Sequence, residues 1–389
     1  MAETIKQAYL KIRCRLLYWL APVLNELRRR HRALPGKAPR ILFIRTDRIG
    51  DMALSTPAFR ALKKAFPRSH LTVLASRVNF PLLAHNPHVD RVCIYPFGKN
   101  RLAQWRLARA LRKEAFDIVI DPLESYDLEP ALLAYAVCPR LAIGVAGSGR
   151  EVFFDRVRPV GGGRRHFVDL SFDLLRLIGV EDDGRQPELF LASAETRRAQ
   201  DWLSRHVRGG RMRVGVHPGA HYETQKWGVR NYAGLIRLPR STADVEWILI
   251  GGPADAGTVE TIQAEAGHGV PVFIDADLRR TIALISQLDA LVCNNSGPLH
   301  IATALNIPTV SFMGPTVAER WWPVASNSRV LRARHLSCLG CEKGVCPKQT
   351  TDCMNGITPE MARDALMSLL SEAGKASRPL HRPFLSAAA

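Results

Sequence analysis

Three short runs of this chain hold residue types able to handle a phosphorylated substrate. The first is Arg45-Thr46-Asp47-Arg48-Ile49-Gly50-Asp51. Gly50 permits a tight turn, and Asp51 follows at the expected start of a helix. An acid there is either an N-cap that closes the helix end or a general base that takes the proton of an attacking hydroxyl. The run has neither the Lys-Ser/Thr ending of a P-loop nor the glycine spacing of a dinucleotide fingerprint, which weighs against NTPase and dehydrogenase chemistry. The second run, Val214-Gly215-Val216-His217-Pro218-Gly219-Ala220, is followed by Lys226-Trp227. A small residue such as Gly219 lets the backbone approach a ligand closely, and Lys226 can neutralise phosphate oxygens. The third run is Asn294-Asn295-Ser296-Gly297-Pro298-Leu299-His300. Ser296 and Gly297 stand at an expected helix N-terminus, where backbone N–H groups and the positive dipole end suit a diphosphate. His300 lies about one turn further in, placed either to face the same ligand or to serve the core. Gly251-Gly252-Pro253-Ala254-Asp255 forms a similar turn. Asp255 is there either an acceptor for ribose hydroxyls or an acid at a helix start.

Eight cysteines are present, four of them clustered as Cys338-x2-Cys341-x4-Cys346-x6-Cys353. The surrounding loop is rich in Gly, Pro and Lys and has too little apolar content to form its own core. Four thiolates in such a loop can hold one tetrahedral metal, zinc or iron, in a closed structural site, with disulfides as the competing reading. Cys14, Cys93, Cys138 and Cys293 are scattered and read as small buried hydrophobes.

The elements that must position these runs alternate between strand and helix. In the first half, Arg40–Arg45, Leu71–Ala75, Val92–Tyr95, Asp117–Ile120 and Leu141–Val145 are short apolar runs, with helical stretches such as Ala53–Phe66 and Arg101–Glu114 between them. Residues 181–187 form a polar, turn-rich break. A second series follows: Arg213–His217, Glu246–Ile250, Val270–Ile274, Ala290–Cys293 and Thr309–Met313, with helices over Tyr232–Leu238, Ala254–Ala266, Leu278–Gln287 and Ile301–Leu305. Alternation of this kind predicts an α/β protein with two doubly wound parallel sheets, over 39–185 and 186–375. A C-terminal helix from Pro359 closes the second domain, and 376–389 is an expected flexible tail. All three runs then fall at the carboxyl ends of strands, where open parallel sheets bind their ligands.

The 389 residues carry 54 Lys and Arg against 36 Asp and Glu, a formal charge of +18. Residues 1–40 alone hold ten of the cations and two acids, so they carry +8. Apolar residues there (Tyr9, Ile12, Leu16, Trp19, Val23) recur every three or four positions, which predicts a basic amphipathic helix over 1–38, bent at Pro22. Its apolar stretch from Leu16 to Leu24, free of charge, is far below the roughly 20 residues of a bilayer span. Such a helix suits an anionic membrane surface, or packs on the protein's own core. The charge also admits nucleic acid, but no recognition motif accompanies it and the densest basic block lies outside the sheets, so no nucleic-acid partner is expected.

Together, RTDRIGDMALSTPAFRALK at 45–63, GVHPGA and KW within 215–227, NNSGPLHIATAL at 294–305 and MGPT at 313–316 resemble glycosyltransferase family 9, the ADP-heptose:lipopolysaccharide heptosyltransferases. The resemblance spans roughly residues 40 to 370. It implies a GT-B fold, two Rossmann-like domains facing a cleft, with the acceptor held by the first and an ADP-sugar donor mainly by the second. It implies inverting transfer that requires no cofactor, with Asp51 as the general base and Arg48 and Gly50 on the acceptor-side loop. Lys226 matches the donor-phosphate lysine, with Gly219 in the preceding turn. Ser296, Gly297 and His300 match the diphosphate turn, and Asp255 falls near the ribose-binding acid. Asn295 replaces the Asp usual in this turn, which alters the expected sugar contacts. The implied partners are the ADP-sugar, a lipopolysaccharide core or other glycolipid acceptor, and the anionic cytoplasmic face of a bacterial inner membrane. The same fold would also serve another sugar, or a different surface glycan or a protein as acceptor.

Overall fold

The computed structural model describes residues 2–27, 36–98, 100–124, 126–159, 165–238, 245–267 and 269–375. The chain divides into two compact units, Met1–Arg185 and Gln186–Ala389. The sheet of the first unit contains β1 (Arg40–Arg45), β2 (His70–Ala75), β3 (Arg91–Ile94), β4 (Ile118–Asp121), β5 (Leu141–Val145) and β6 (Arg156–Arg158), in the order β3-β2-β1-β4-β5-β6. Every pairing is parallel, with Ile41 opposite Leu71 on one side and Ile118 on the other. Ile41 to Ile44 are completely buried, as a central parallel strand covered on both faces must be. Leu42 and Ile44 point into a core with Leu111, Val137 and Phe153. Phe43 points the other way, edge-on to Phe59 with ring centroids 5.0 Å apart. Each such side chain contributes about 1.5–3 kcal/mol by leaving water.

An N-terminal helix, Ala2–Leu27, is continuous with Pro22 inside it. It docks on the first unit by a single side. Leu17, Ala21 and Leu24 join the core cluster, and Arg13 donates 2.8 Å bonds to the carbonyls of Tyr126 and Ser148. At Gly149, where φ is +83°, an added Cβ would stand 2.8 Å from Leu17 Cδ1, so both the conformation and the close approach select glycine. The opposite side leaves Tyr9, Ile12, Leu16, Trp19 and Val23 exposed. The two expectations for this segment, a core-packed helix and a helix with an outward apolar face, thus describe its two sides. The Arg28–Arg32 block and the tail 376–389 lie outside the described residues. No helix among the described residues is long and apolar enough to cross a membrane.

The second unit repeats the plan with β7 (Met212–His217), β8 (Val245–Gly251), β9 (Val272–Ile274), β10 (Ala290–Asn294), β11 (Thr309–Phe312) and β12 (Ser328–Leu331), in the order β12-β11-β10-β7-β8-β9. Counted within the unit, this is again 3-2-1-4-5-6 read from the other edge, and all pairings are parallel. Trp227 anchors the core: its ring stacks on Phe312 at 4.1 Å and its Nε1 donates to the Ile357 carbonyl at 2.7 Å. The helix Pro359–Lys375 covers this core through Ala362, Leu366 and Leu369.

Three local features depart from expectation. The strands β6 and β12 have no counterpart in the sequence reading. The helix expected over Ala53–Phe66 runs from Thr56 to Ala65, and a separate short helix, Ile49–Ala53, precedes it. Pro57 cannot donate to the Ala53 carbonyl, and the Thr56 hydroxyl does so instead at 2.8 Å.

Candidate active site

In a sheet of order 3-2-1-4-5-6 the winding reverses between the first and fourth strands, and the crevice beyond their carboxyl ends is the natural ligand position. In the first unit that position lies after β1 and β4. The chain leaves β1 at Arg45, crosses Thr46-Asp47-Arg48 and enters the helix Ile49–Ala53, with Gly50 buried and Arg48 exposed. Asn79, fully buried at the turn after β2, clamps this crossing. Its Nδ2 donates to the carbonyls of Arg45 and Asp47, each at 3.1 Å, and its Oδ1 accepts from the Ser76 amide at 2.8 Å. Asp51 is the third residue of the helix rather than its N-cap. Its carboxylate reaches back to accept the Arg48 amide at 3.2 Å, so it still satisfies a helix-end donor.

Asp51 is 7% exposed. Burial, and then the negative charge of Asp47, push its pKa from 3.8 up to about 7, against the opposing pull of Arg45 and Arg48. A carboxyl that exchanges its proton near neutrality, fixed at a strand end, has the properties of a general base. Arg45 lies beneath it, 1% exposed, paired with Asp47 at 2.9 Å and 4.8 Å from the Phe167 ring. Its Nε and Nη2 have no hydrogen-bond partner among the described residues. At the end of β4, Asp121 is wholly buried and ion-paired with Arg150. Of these groups the sequence reading selected Asp51, Arg48 and Gly50. It missed Asn79 and the Asp121–Arg150 pair, although an acid closing the apolar run of β4 was the available signal.

In the second unit the corresponding position follows β7 and β10. Asn294, the last residue of β10, is fully buried and organises it. Its Oδ1 accepts the Trp227 amide at 3.0 Å, and its Nδ2 donates to the carbonyls of Pro218 at 2.7 Å and Gly219 at 3.3 Å. The second and third runs of the sequence are thereby tied together. Lys226, next to Trp227, pairs with the exposed Glu223 at 2.5 Å, which leaves two of its three ammonium donors. Gly219 is required sterically: an added Cβ would lie 2.4 Å from Asp255 Oδ1 and 2.7 Å from His217 Cε1. Asp255 accepts from the Gly252 amide at 3.0 Å and lies 3.6 Å from His217 Nε2. Burial lowers the His217 pKa despite that carboxylate, so its ring is neutral at pH 7.

Ser296 is the extended residue that opens the helix Gly297–Ala304, and Pro298 sits at its second position. His300 is 3% exposed in the first turn, its ring 6.3 Å from that of Trp321, a core environment rather than an open one. Among the described residues, His217 Nδ1 and Asn295 Oδ1 are buried without a hydrogen-bond partner. Both lie at the carboxyl ends of strands, His217 closing β7 and Asn295 following β10. His217 and Asn294 stand within the second and third runs, but their residue types and spacing alone assign them no part.

The cysteine loop differs from expectation. None of the eight cysteines is in a disulfide. Among the described residues, no group of three or more His, Cys, Asp or Glu side chains is arranged to hold a metal ion. As placed, Cys338, Cys341, Cys346 and Cys353 are not arranged as such a group, although the first three thiols lie near enough to Cys353 to raise its pKa. Cys346 turns to the backbone N–H groups of Thr351, Thr350 and Lys348, which lower its pKa. Cys353 packs on Gly314, its Sγ 2.7 Å from where a Cβ would be, and burial followed by the nearby thiols raises its pKa.

Comparison with known proteins places this arrangement in context. The profile of glycosyltransferase family 9 (heptosyltransferase) matches residues 104–351. The chain is 26% identical over 351 residues to the lipooligosaccharide heptosyltransferase 2 of Haemophilus influenzae, covering 85% of this chain and 99% of that one. Among solved structures, a family 9 glycosyl transferase from Veillonella parvula superposes with a TM-score of 0.75 at 21% identity, over 86% of this chain and 97% of that chain. The E. coli ADP-heptose lps heptosyltransferase II does so with a TM-score of 0.70 at 22% identity, over 86% and 99%. These likenesses carry the fold, two Rossmann-like units on the GT-B plan. The chain belongs to glycosyltransferase family 9 and is a glycosyltransferase.

Proposed function

We propose that this enzyme transfers heptose from ADP-heptose to a lipopolysaccharide inner-core acceptor, with inversion at the anomeric carbon and Asp51 as the general base. The observation that carries the reading is the Asp51 carboxyl, buried after β1 with a pKa of about 7. The acceptor hydroxyl attacks the anomeric carbon of the donor while the bond from that carbon to the diphosphate oxygen breaks on the opposite side. Asp51 takes the hydroxyl proton as the new bond forms, and ADP carries away the electron pair of the broken one. Lys226 and the helix start at Ser296 and Gly297 stabilise the charge that builds on the diphosphate. Asp255 receives the ribose hydroxyls, His300 supports the turn from the core side, and Gly219 leaves the space beside Asp255 and His217. Positive groups of the chain perform the neutralisation, so no step runs through a metal at the cysteine loop. Arg48 and Gly50 shape the acceptor side.

The outward apolar side of the helix Ala2–Leu27 supports a further part of this reading, attachment to the anionic cytoplasmic face of a bacterial inner membrane. Asn295, with its unpartnered Oδ1 in the donor turn, favours one alternative, a donor sugar other than heptose. A screen of nucleotide sugars with purified enzyme separates the two. Turnover with ADP-heptose and incorporation into a heptose-deficient core supports the first, and turnover only with another sugar nucleotide overturns it. Asp51→Asn is expected to abolish turnover while ADP-sugar binding persists, and retained turnover would remove Asp51 from its part.

A further inference from the structure

The first unit carries a second element suited to lipid, on the same side of the sheet as the N-terminal helix. Three helices pack on the core cluster that contains Leu42, Ile44 and Val119: the N-terminal helix through Leu17, Ala21 and Leu24, Glu129–Val137 through Ala131 and Ala134, and Arg101–Lys113 through Leu107, Ala108 and Leu111. Glu129–Val137 bonds to both of the others. Tyr135 Oη donates to the Leu24 carbonyl at 3.2 Å, and Gln104 Nε2 donates to Glu129 Oε1 at 2.7 Å. The three therefore form one layer, and the sides that do not touch the core all face away from the sheet.

Those outward sides have one character. Trp19 is 78% exposed on the N-terminal helix, Leu132 is exposed on the middle one, and Leu102 and Trp105 are more than half exposed on Arg101–Lys113. Positions 102, 105, 106 and 109 follow the helical repeat opposite the buried Leu107, Ala108 and Leu111 side. Single exposed apolar residues need no explanation, but two aromatic-bearing outer helix sides in one layer do. Arg101–Lys113 holds five cations and no acid, and the guanidinium of Arg109 lies 5.4 Å from the Trp105 ring centre. Indole rings at headgroup depth with guanidinium groups among lipid phosphates match this chemistry. A second copy would oppose this positive patch with itself, since a two-fold interface is self-complementary.

We infer that Arg101–Lys113 and the N-terminal helix together form a two-part docking face for an anionic lipid bilayer. The inference rests on the membrane attachment proposed for the N-terminal helix and adds a second, independent footing within the unit itself. The test is sedimentation of the full-length protein with vesicles of phosphatidylcholine alone or mixed with phosphatidylglycerol. Binding only to the mixed vesicles is expected. Arg106→Gln combined with Arg109→Gln should weaken that binding about 30-fold, the effect of removing two surface cations from an anionic leaflet. Trp105→Ser should weaken it as well, Trp19→Ser should weaken it separately, and all four substitutions together should abolish it. Unchanged thermal melting shows that each variant is folded. The readout uses no substrate, so failure of the transferase reading leaves it intact. Wild-type binding by both the double arginine variant and Trp105→Ser overturns the inference while leaving the N-terminal helix its part. Equal binding to neutral vesicles overturns it, as does a dimer in light scattering that Trp105→Ser dissociates.

Discussion

Replacing Asp51 by Asn should stabilise this protein while silencing it, and the size of the gain follows from the proton equilibrium. In the folded chain Asp51 holds its proton up to about pH 7, against 3.8 when exposed. Between those values folding takes up a proton, so this group's share of stability is present below about pH 4 and is lost as pH rises to about 7. Three pKa units correspond to about 4 kcal/mol. Asn removes that penalty, and its side-chain oxygen can still accept the Arg48 amide, though more weakly than a carboxylate. A net gain of about 3 kcal/mol above pH 7 remains, which for a unit of this size raises Tm by about 6–12 °C. Scanning calorimetry of wild type and Asp51→Asn at about pH 8 and pH 5 measures it, and more than half of the gain should be gone at the lower pH. A variant that melts lower than wild type at pH 8, or by the same margin at both values, would refute the assignment of a buried, destabilised carboxyl.

Further expectations concern the neighbours of that carboxyl and the donor turn. Asp47→Asn removes a negative charge that raises the Asp51 pKa, so the acid limb of kcat/KM, near pH 7 in wild type, should move to lower pH; an unmoved limb would separate the two residues. Gly219→Ala places a methyl group 2.4 Å from Asp255 Oδ1 and should weaken nucleotide-sugar binding at least about fivefold in calorimetry, since overpacking of this kind costs about 1–3 kcal/mol. Unchanged affinity would show that Asp255 does not line the donor site. Asn294→Ala strips the partners from the Trp227 amide and from two buried carbonyls and should cost about 2–4 kcal/mol in denaturant unfolding of the second unit.

What pattern reading recovered was whatever burial writes into composition. Ile41 to Ile44 lie between two arginines as an uninterrupted apolar run because both faces of β1 are covered. The three chemical runs were visible because they combine glycine with polar groups at strand ends, where only a ligand or a turn calls for them. The clamps were not visible. Asn79 and Asn294 act through backbone carbonyls at the ends of other strands or in the loops that follow them, and an asparagine at a strand end or in a turn looks the same whether or not such carbonyls arrive. Asp121 was placed just outside β4 by a one-residue shift in the expected strand, which concealed an acid that is in fact paired and buried. The cysteine spacing brings four thiols into one loop, but spacing along a loop does not fix the directions in which they point.

The strands that escaped notice have a property in common. Two of the four outermost strands, β6 and β12, are three and four residues long and carry arginines: Arg156 and Arg158 in one, Arg329 in the other. The other two, β3 and β9, are four and three residues long, and β3 opens with Arg91. A parallel sheet ends in rows of unpaired amides and carbonyls that invite a further strand, and brevity and positive charge are the means by which natural sheets refuse one. The long apolar strands β1, β7, β8 and β10, whose sequences would template fibrils if bared, are interior in both sheets. The margins of this protein are thus built for colloidal stability, and a substitution that lengthened or neutralised β6 or β12 would endanger solubility before it endangered the fold.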